Sequence, residues 1–407
     1  MQPVTFDQAH ALVLSHANSG IMSFETVELK DAAGRTLADD VFSDLDCPGA
    51  DISAMDGYCL QAELIAGADN DSTVTLPITA GIDAGHHIDQ ISPNSCAYIA
   101  TGGMLPKGAD CVVPLEELVV SSDGASVTFK TAVKSGNYVR PRASELKCGD
   151  KMVAANTLIT ASVIGQLANA GQAVIKVIKK PTVAILTSGD EVRMLWEKPL
   201  PWQVRNSNCA MLRAQVQEAG ATVLEIGIAR DIGDHANELF LKAAEAADII
   251  VTSGGISMGR KDPFKQVFAR HQINPIFYGI KMKPGKPVFF GLYKNKPVFG
   301  LPGNQTSTAV TFELLVRPFI RKLLGLTPDR LQLDLELTCA SKNGTNRDFF
   351  KRGKIIEQNG KLLVEPLESQ ESHMLSSLAG AEVLFRHPAS PAHLPAADKV
   401  RCWLLKG

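Results

Sequence analysis

Five stretches of the chain gather the glycines, carboxylates and lysines that phosphate and divalent-metal chemistry uses. They are Thr187-Ser188-Gly189-Asp190-Glu191, Ala229-Arg230-Asp231, a long run from Thr252-Ser253-Gly254-Gly255-Ile256-Ser257 to Asp262, Lys283-Pro284-Gly285-Lys286-Pro287, and Leu301-Pro302-Gly303-Asn304-Gln305-Thr306-Ser307. Glycines without Cβ let backbone N–H groups close on a phosphate and form an anion nest. Asn304, Thr306 and Ser307 stand where a helix begins, so free amides and the helix dipole favour an anion there. Lys283 and Lys286, separated by Pro-Gly, supply point charges for an oxyanion. Asp190, Glu191, Asp231 and Asp262 crowd four carboxylates on one rim, which is costly unless a cation neutralises them. Mg²⁺ bridging carboxylates and a substrate phosphate resolves that repulsion. Each motif alone is ordinary: a Gly-Gly is usually a turn, a strand-end Asp usually a helix N-cap. Their joint placement points to a ligand site.

These loops must be positioned by strands and helices. Between Pro181 and Gly325 the texture is strand, helix, strand, helix. PTVAILTS, ATVLEIGIA and ADIIVTS read as buried strands, with NCAMLRAQVQEAG and DHANELFLKAAEAA as helices between them. KPVFFGLYKNKPVFGLP reads as a hairpin turning at Lys294-Asn295, and TSTAVTFELLVRPFIRKLLG as the closing helix. Fully apolar strands alternating with helices predict an α/β multidomain chain built on a doubly wound, mainly parallel sheet. In such sheets a ligand lies outside the carboxyl ends of the strands, which places all five loops on one edge. No GxxxxGK(S/T) and no GxGxxG occurs, which argues against the Walker and dinucleotide sites.

The flanks differ. Residues 47–146 are rich in Gly, Pro and short β-branched runs, predicting a β-rich insertion domain. Residues 1–46 and 147–178 are expected to pack together as a discontinuous linker domain around it. The α/β domain is expected over 179–326. From 327 to 407 alternating strands, with an Asn359-Gly360 turn, predict a small C-terminal β-barrel.

At 407 residues the chain exceeds one core, and its 45% hydrophobic and 21% charged content is that of a globular protein. The net charge of −2 gives no basic excess for a nucleic-acid backbone or an anionic lipid surface. The first 20 residues lack a basic n-region and an apolar h-region, and no stretch reaches the ~18 apolar residues of a membrane span. The expected location is cytoplasmic. The eight cysteines are scattered, with no CxxC, which argues for reduced thiols and against a zinc module.

The order TSGDE, SGGISMGRKD, KPGKP and LPGN, behind SAMDGY and ATGG…LPKGADCVV, resembles the molybdenum insertases: bacterial MoeA and the E domains of gephyrin and its plant counterparts. The resemblance covers nearly the whole chain. It implies a molybdopterin molybdenumtransferase, which uses Mg²⁺ to hydrolyse adenylylated molybdopterin, release AMP and insert molybdenum from molybdate at the dithiolene. It implies a four-domain homodimer, with the site between one subunit's α/β domain and the other's β insertion. It also implies transient contact with an adenylylating partner and with apo-molybdoenzymes. By motif, Asp56 and Thr101 are the insertion-domain site residues, and Ser188, Gly189, Asp190 and Glu191 the acidic loop. Asp231 and Asp262 match the metal pair, and Gly254, Gly255 and Ser257 the phosphate or pterin loop. Lys283 and Lys286 match the residues for molybdate and the leaving phosphate. Pro302, Gly303, Asn304 and Ser307 match the loop at the last helix. Arg352 and Ser372 match positions facing the molybdate route.

The chain departs from the family pattern in three places. Gln305-Thr306 replaces Pro-Val after LPGN, which removes a fixed φ. Arg140-Pro141-Arg142-Ala143-Ser144-Glu145 stands where the family reads Arg-x-x-Gly-Glu-Asp. Gly279 replaces a Lys or His, with Lys281 close by. The alternative function is a non-catalytic paralogue, a dimeric cofactor carrier or scaffold.

Overall fold

The computed structural model describes residues 2–18, 23–230, 234–256 and 262–405. In the central unit β1 (Thr182–Ser188), α1 (Ser207–Glu218), β2 (Thr222–Ala229), α2 (His235–Ala246), β3 (Ile249–Ser253) and α3 (Pro263–Arg270) follow in turn. They are followed by β4 (Pro275–Tyr278), β5 (Phe289–Tyr293), β6 (Lys296–Leu301) and α4 (Gln305–Thr311). The sheet runs 2-1-3-6-5-4, parallel except for β5. Lys294 and Asn295 turn the β5–β6 hairpin, both with positive φ, as a two-residue loop requires. The period-two rule splits β1 between two cores. Val183 and Ile185 face α1 residues Leu212 and Val216, while Ala184 and Leu186 face Phe240 of α2 and Phe264 of α3. The closing helix passes from α4 through a π turn, Phe312–Val316, into a last stretch Arg317–Leu323 that carries Pro318. Loosening the ladder there suits a residue with no N–H to donate.

Pairing ties the flanks together. Strand Phe24–Glu28 lies antiparallel to Val174–Ile178, and Val41–Phe42 to Lys151–Val153. The sheet of Gly57–Leu60, Cys96–Ile99 and their neighbours forms between those returns. After the α/β unit, Asp348–Gln358, Lys361–Pro366, Gln332–Leu337, Lys399–Leu404 and Val383–His387 close a five-stranded barrel.

Two features depart from the sequence expectations. The helix Phe6–Ser15, expected within a unit of residues 1–46, puts Phe6, Ala9 and Val13 into the α/β core beside Phe277 and Ile280. Its apolar stripe at i, i+3 and i+7 needs a large apolar partner. The sheet face supplies one, and Val4 fixes the approach by exchanging backbone bonds with Gly279 and Lys281 (3.2 and 2.8 Å). The second feature is Ala143, which stands with φ +56° where the family pattern has Gly. A left-handed alanine costs about 1–2 kcal/mol, part of which glycine's greater unfolded-state freedom takes back. Ala143→Gly is expected to raise stability by about 0.5–1 kcal/mol, read as a higher midpoint in thermal or urea unfolding.

Candidate functional site

The chain leaves β1 in one direction, to α1 and β2, and returns over β1 to β3. That reversal makes the carboxyl ends of β1 and β3 a topological switch point. A cavity of about 1000 Å³ opens there, lined by Ser188, Gly189, Asp190, Glu191, Gly254, Gly255, Asp262, Gly303, Asn304 and residues around them. The first, third and fifth loops therefore share one wall.

Each loop owes its shape to a local cause. Gly189 has φ +137°, and a Cβ there would lie 2.6 Å from the Glu191 carboxylate, so only glycine lets that side chain fold over the backbone. Arg230 Nη1 donates to the carbonyls of Gly189 (2.9 Å) and Val192 (2.8 Å), and Arg193 Nη1 to that of Asp190 (2.8 Å). Two guanidinium groups thus brace the acidic loop. Gly254 and Gly255 follow β3 with φ +82° and +67°, and a Cβ on Gly255 would reach Ser188 Oγ at 2.6 Å. Ser253 Oγ and Thr308 Oγ1 donate to the Pro302 carbonyl (3.1 and 2.6 Å), and Asn208 Nδ2 to that of Gly303 (2.7 Å). Those three bonds fix the loop that leads into α4.

The C-terminal barrel reaches the same place. Ser372 accepts from Asn304 Nδ2 through its hydroxyl (3.1 Å) and from the Thr306 amide through its carbonyl (3.3 Å). His373 beside it lines the cavity. Arg352, expected to face the molybdate route, is instead fully buried. It donates to Ser377 Oγ (3.2 Å) and to the carbonyls of Ser369 (3.1 Å) and Glu371 (3.3 Å). Burial pulls its pKa down to about 10. It holds the segment that carries Ser372 and His373 to the cavity. Alternation on Asp348–Gln358 sets residue 352 on the face of Phe350 and of its partner Leu384, away from the barrel's own core of Val383 and Phe385.

The lysine turn stands at the same sheet edge, since Phe289 pairs with Gly300, but neither Lys283 nor Lys286 is among the cavity's lining residues. Met282–Lys283 instead adds a parallel strand to Asp348–Phe349 of the barrel. Lys283 Nζ lies 4.4 Å above the Phe349 ring, and Lys351 Nζ lies 5.2 Å from the same ring. Burial first, then the Lys283 charge, lowers the pKa of Lys351. Asp56 and Thr101 are joined in the insertion domain, where Asp56 Oδ1 accepts from the Thr101 amide (2.7 Å) and hydroxyl (2.9 Å). Those bonds hold the carboxyl below its usual range. Neither residue lines the cavity of its own chain. Asp231 and Ser257 lie outside the described residues.

Among the described residues of the cavity wall, two buried side-chain oxygens have no hydrogen-bond partner: Asp262 Oδ2 and Asn208 Oδ1. Such atoms are costly unless something binds them. Among the described residues no group of three His, Cys, Asp or Glu side chains is placed to hold a metal. A site of one or two carboxylates completed by an amide oxygen, water and substrate phosphate suits Mg²⁺. Sequence reasoning missed Asn208, Arg230 and His373. Asn208 is the second residue of α1, where a polar residue reads as surface, and His373 is brought in from another domain.

The chain matches three family models in order. They are the MoeA N-terminal region, domains I and II, over residues 4–171, a probable molybdopterin-binding domain over 184–322, and the MoeA C-terminal region, domain IV, over 334–405. The chain is 31% identical to a molybdopterin molybdenumtransferase of Haemophilus influenzae, over 92% of each chain. It belongs to the MoeA family. It is also 30% identical to molybdopterin molybdenumtransferase 2 of Mycobacterium tuberculosis, over 93% of this chain and 94% of that one. The crystal structure of the molybdopterin biosynthesis MoeA protein of Pyrococcus horikoshii superposes over 100% of both chains, with a TM-score of 0.83 and 28% identity. MoeA membership accounts for the order of insertion, α/β unit and barrel. No helix among the described residues is long and apolar enough to cross a membrane.

Proposed function

We propose that this chain completes molybdenum cofactor synthesis, taking adenylylated molybdopterin and molybdate as substrates, releasing AMP and leaving molybdenum on the dithiolene. The observation that carries the reading is the cavity wall itself. The left-handed Gly254-Gly255 pair and the amino end of α4 offer amides to a phosphate, and Asp262 and Asn208 aim unpartnered oxygens beside them. Asp262 and Asn208, with Asp231 by its place in the sequence, would hold Mg²⁺. Bound there, the ion would draw charge from the phosphoanhydride oxygens as they become leaving groups.

The remaining roles fall to this chain's own groups. Glu191, folded over Gly189 and braced through Arg230, orients the water that attacks the phosphoanhydride. The P–O bond to AMP breaks, and AMP departs with the bridging oxygen. Lys283 and Lys351, sharing Phe349, repel one another less when an oxyanion such as molybdate joins them. A second copy would close the cavity with its Asp56–Thr101 pair, which makes the working unit a homodimer. The enzyme would act in the cytoplasm, meeting an adenylylating partner and apo-molybdoenzymes transiently.

The test is AMP release from adenylylated molybdopterin by the purified protein with Mg²⁺ and molybdate. Release that requires both is the expected outcome. Tight binding of the substrate without AMP would favour the carrier or scaffold reading instead.

A further inference from the structure

The cavity is equipped for anions and poorly equipped for rings. Its described lining is mostly hydroxyls, amides, carboxylates and backbone, with Val192, Val204, Pro263 and Arg205 at its edge, no Phe, Tyr or Trp, and a single imidazole, His373. The proposed substrate carries a fused heterocycle on either side of its pyrophosphate, and planar rings bind best on aromatic faces.

Aromatic surface does exist at the rim. Two short parallel strands, Val192–Arg193 and Val204–Arg205, pair beside the cavity, and Val192, Val204 and Arg205 line it. The segment between them, residues 194–203, carries Trp196 and Trp202, which are 78% and 70% exposed. Leu195 and Leu200 beside them are about half exposed. The segment is held in shape. Glu197 accepts from the Met194 amide through its carboxylate (2.5 Å) and from Arg205 Nε through its carbonyl (3.3 Å). Gln203 and Leu200 exchange two further bonds (2.9 and 3.1 Å). Arg205 therefore ties the tryptophan loop directly to the cavity wall. Two exposed indoles on a hydrogen-bonded loop beside the cavity are the kind of apolar surface that marks a binding site.

We propose that Trp196 and Trp202 form a stacking platform for the fused heterocycle, adenine or pterin, of a ligand whose phosphate sits in the adjoining cavity. This rests on the substrate reading above and assigns part of that substrate its seat. The platform fixes where the ring lies while the glycine loops fix the phosphate, so it sets affinity and specificity rather than the chemical step.

Intrinsic fluorescence reads the platform, because the chain has three tryptophans and the third, Trp403, is buried. AMP with Mg²⁺, molybdopterin and ribose 5-phosphate are titrated against wild type and against Trp196→Ala/Trp202→Ala. Without the stacking faces the double variant should bind a ring-bearing ligand about tenfold or more weakly. Quenching by AMP, absent in the variant, assigns the platform to adenine; quenching by molybdopterin assigns it to pterin. Ribose 5-phosphate should bind both proteins equally and quench neither. If calorimetry shows AMP and molybdopterin bound equally by both proteins, with unchanged emission, the platform is refuted while the substrate reading stands. If wild type binds neither of these ligands nor the adenylylated substrate, both readings fall. Emission that follows protein concentration instead of ligand would make the loop a contact between copies and overturn the proposal.

Discussion

Asp262→Ala should lower Mg²⁺-dependent AMP release by a factor of about 100 or more, the scale lost with a group that stabilises developing phosphate charge, without lowering the melting temperature of the ligand-free protein. The two effects separate because Asp262 does little for the fold. It occupies the N-cap position of α3 yet makes no capping bond, and its Oδ2 is buried without a partner. An unpaired buried oxygen costs about 1–3 kcal/mol, so removing it is neutral or stabilising in the absence of ligand. Its use appears only when a cation arrives. The same variant should therefore lose the rise in melting temperature that Mg²⁺ and AMP give wild type, since a ligand stabilises only the state that binds it. AMP release and thermal melts with and without Mg²⁺ and AMP check both halves. Normal activity in the variant would remove Asp262 from the metal site, whereas a large fall in its ligand-free melting temperature would make the residue structural.

How much of this was legible beforehand follows from the range of the interactions. β1 and β3 are buried on both faces, so each reads as an uninterrupted apolar run, and the glycines that stop them mark the cavity loops. Gly254 and Gly255 announce themselves because their positive φ favours glycine and a Cβ on either would crowd Ser188 Oγ (3.0 and 2.6 Å). Gln305 was expected to loosen the start of α4, but the helix begins there regardless, with Asn304 before it. Ser372 accounts for that by accepting from both Asn304 and the Thr306 amide, a contact across 68 residues that no local pattern carries. The turn at Lys283 stands at the expected sheet edge but does not line the cavity, again because of a contact distant in sequence. Its charges suggested the phosphate cavity, whereas strand pairing with Asp348–Phe349 turns Met282–Lys283 toward the barrel. The helix Phe6–Ser15 has a clear apolar stripe, but a stripe does not say which surface will cover it.

Arg352→Met should reduce AMP release by about tenfold or more, although the residue is fully buried and does not line the cavity. Methionine keeps much of the volume and removes every donor. The carbonyls of Ser369 and Glu371 then lose a charged partner, and bonds to charged groups are worth about 1.5–3 kcal/mol each. Part of that is returned, because the buried guanidinium is itself costly and its Nη1 has no partner. The net loss falls on residues 369–374, because the Arg352 side chain and Gln370 together tie that segment to the barrel wall and the substitution removes the first of them. Gln370 grips the Arg352 backbone in both directions (2.9 and 2.8 Å), and those bonds survive the substitution. The segment should consequently loosen and swing without unfolding the barrel. Two readouts distinguish this from general destabilisation. The Thr306 amide, which donates to the Ser372 carbonyl, should exchange hydrogen faster, while amides in the paired strands 399–404 should not. Ser372→Ala should add little to the activity lost in Arg352→Met, because both would act through the same contact with α4. Additive losses would mean that Arg352 serves the site by another route, and uniform acceleration of exchange across the barrel would reduce its role to stability alone.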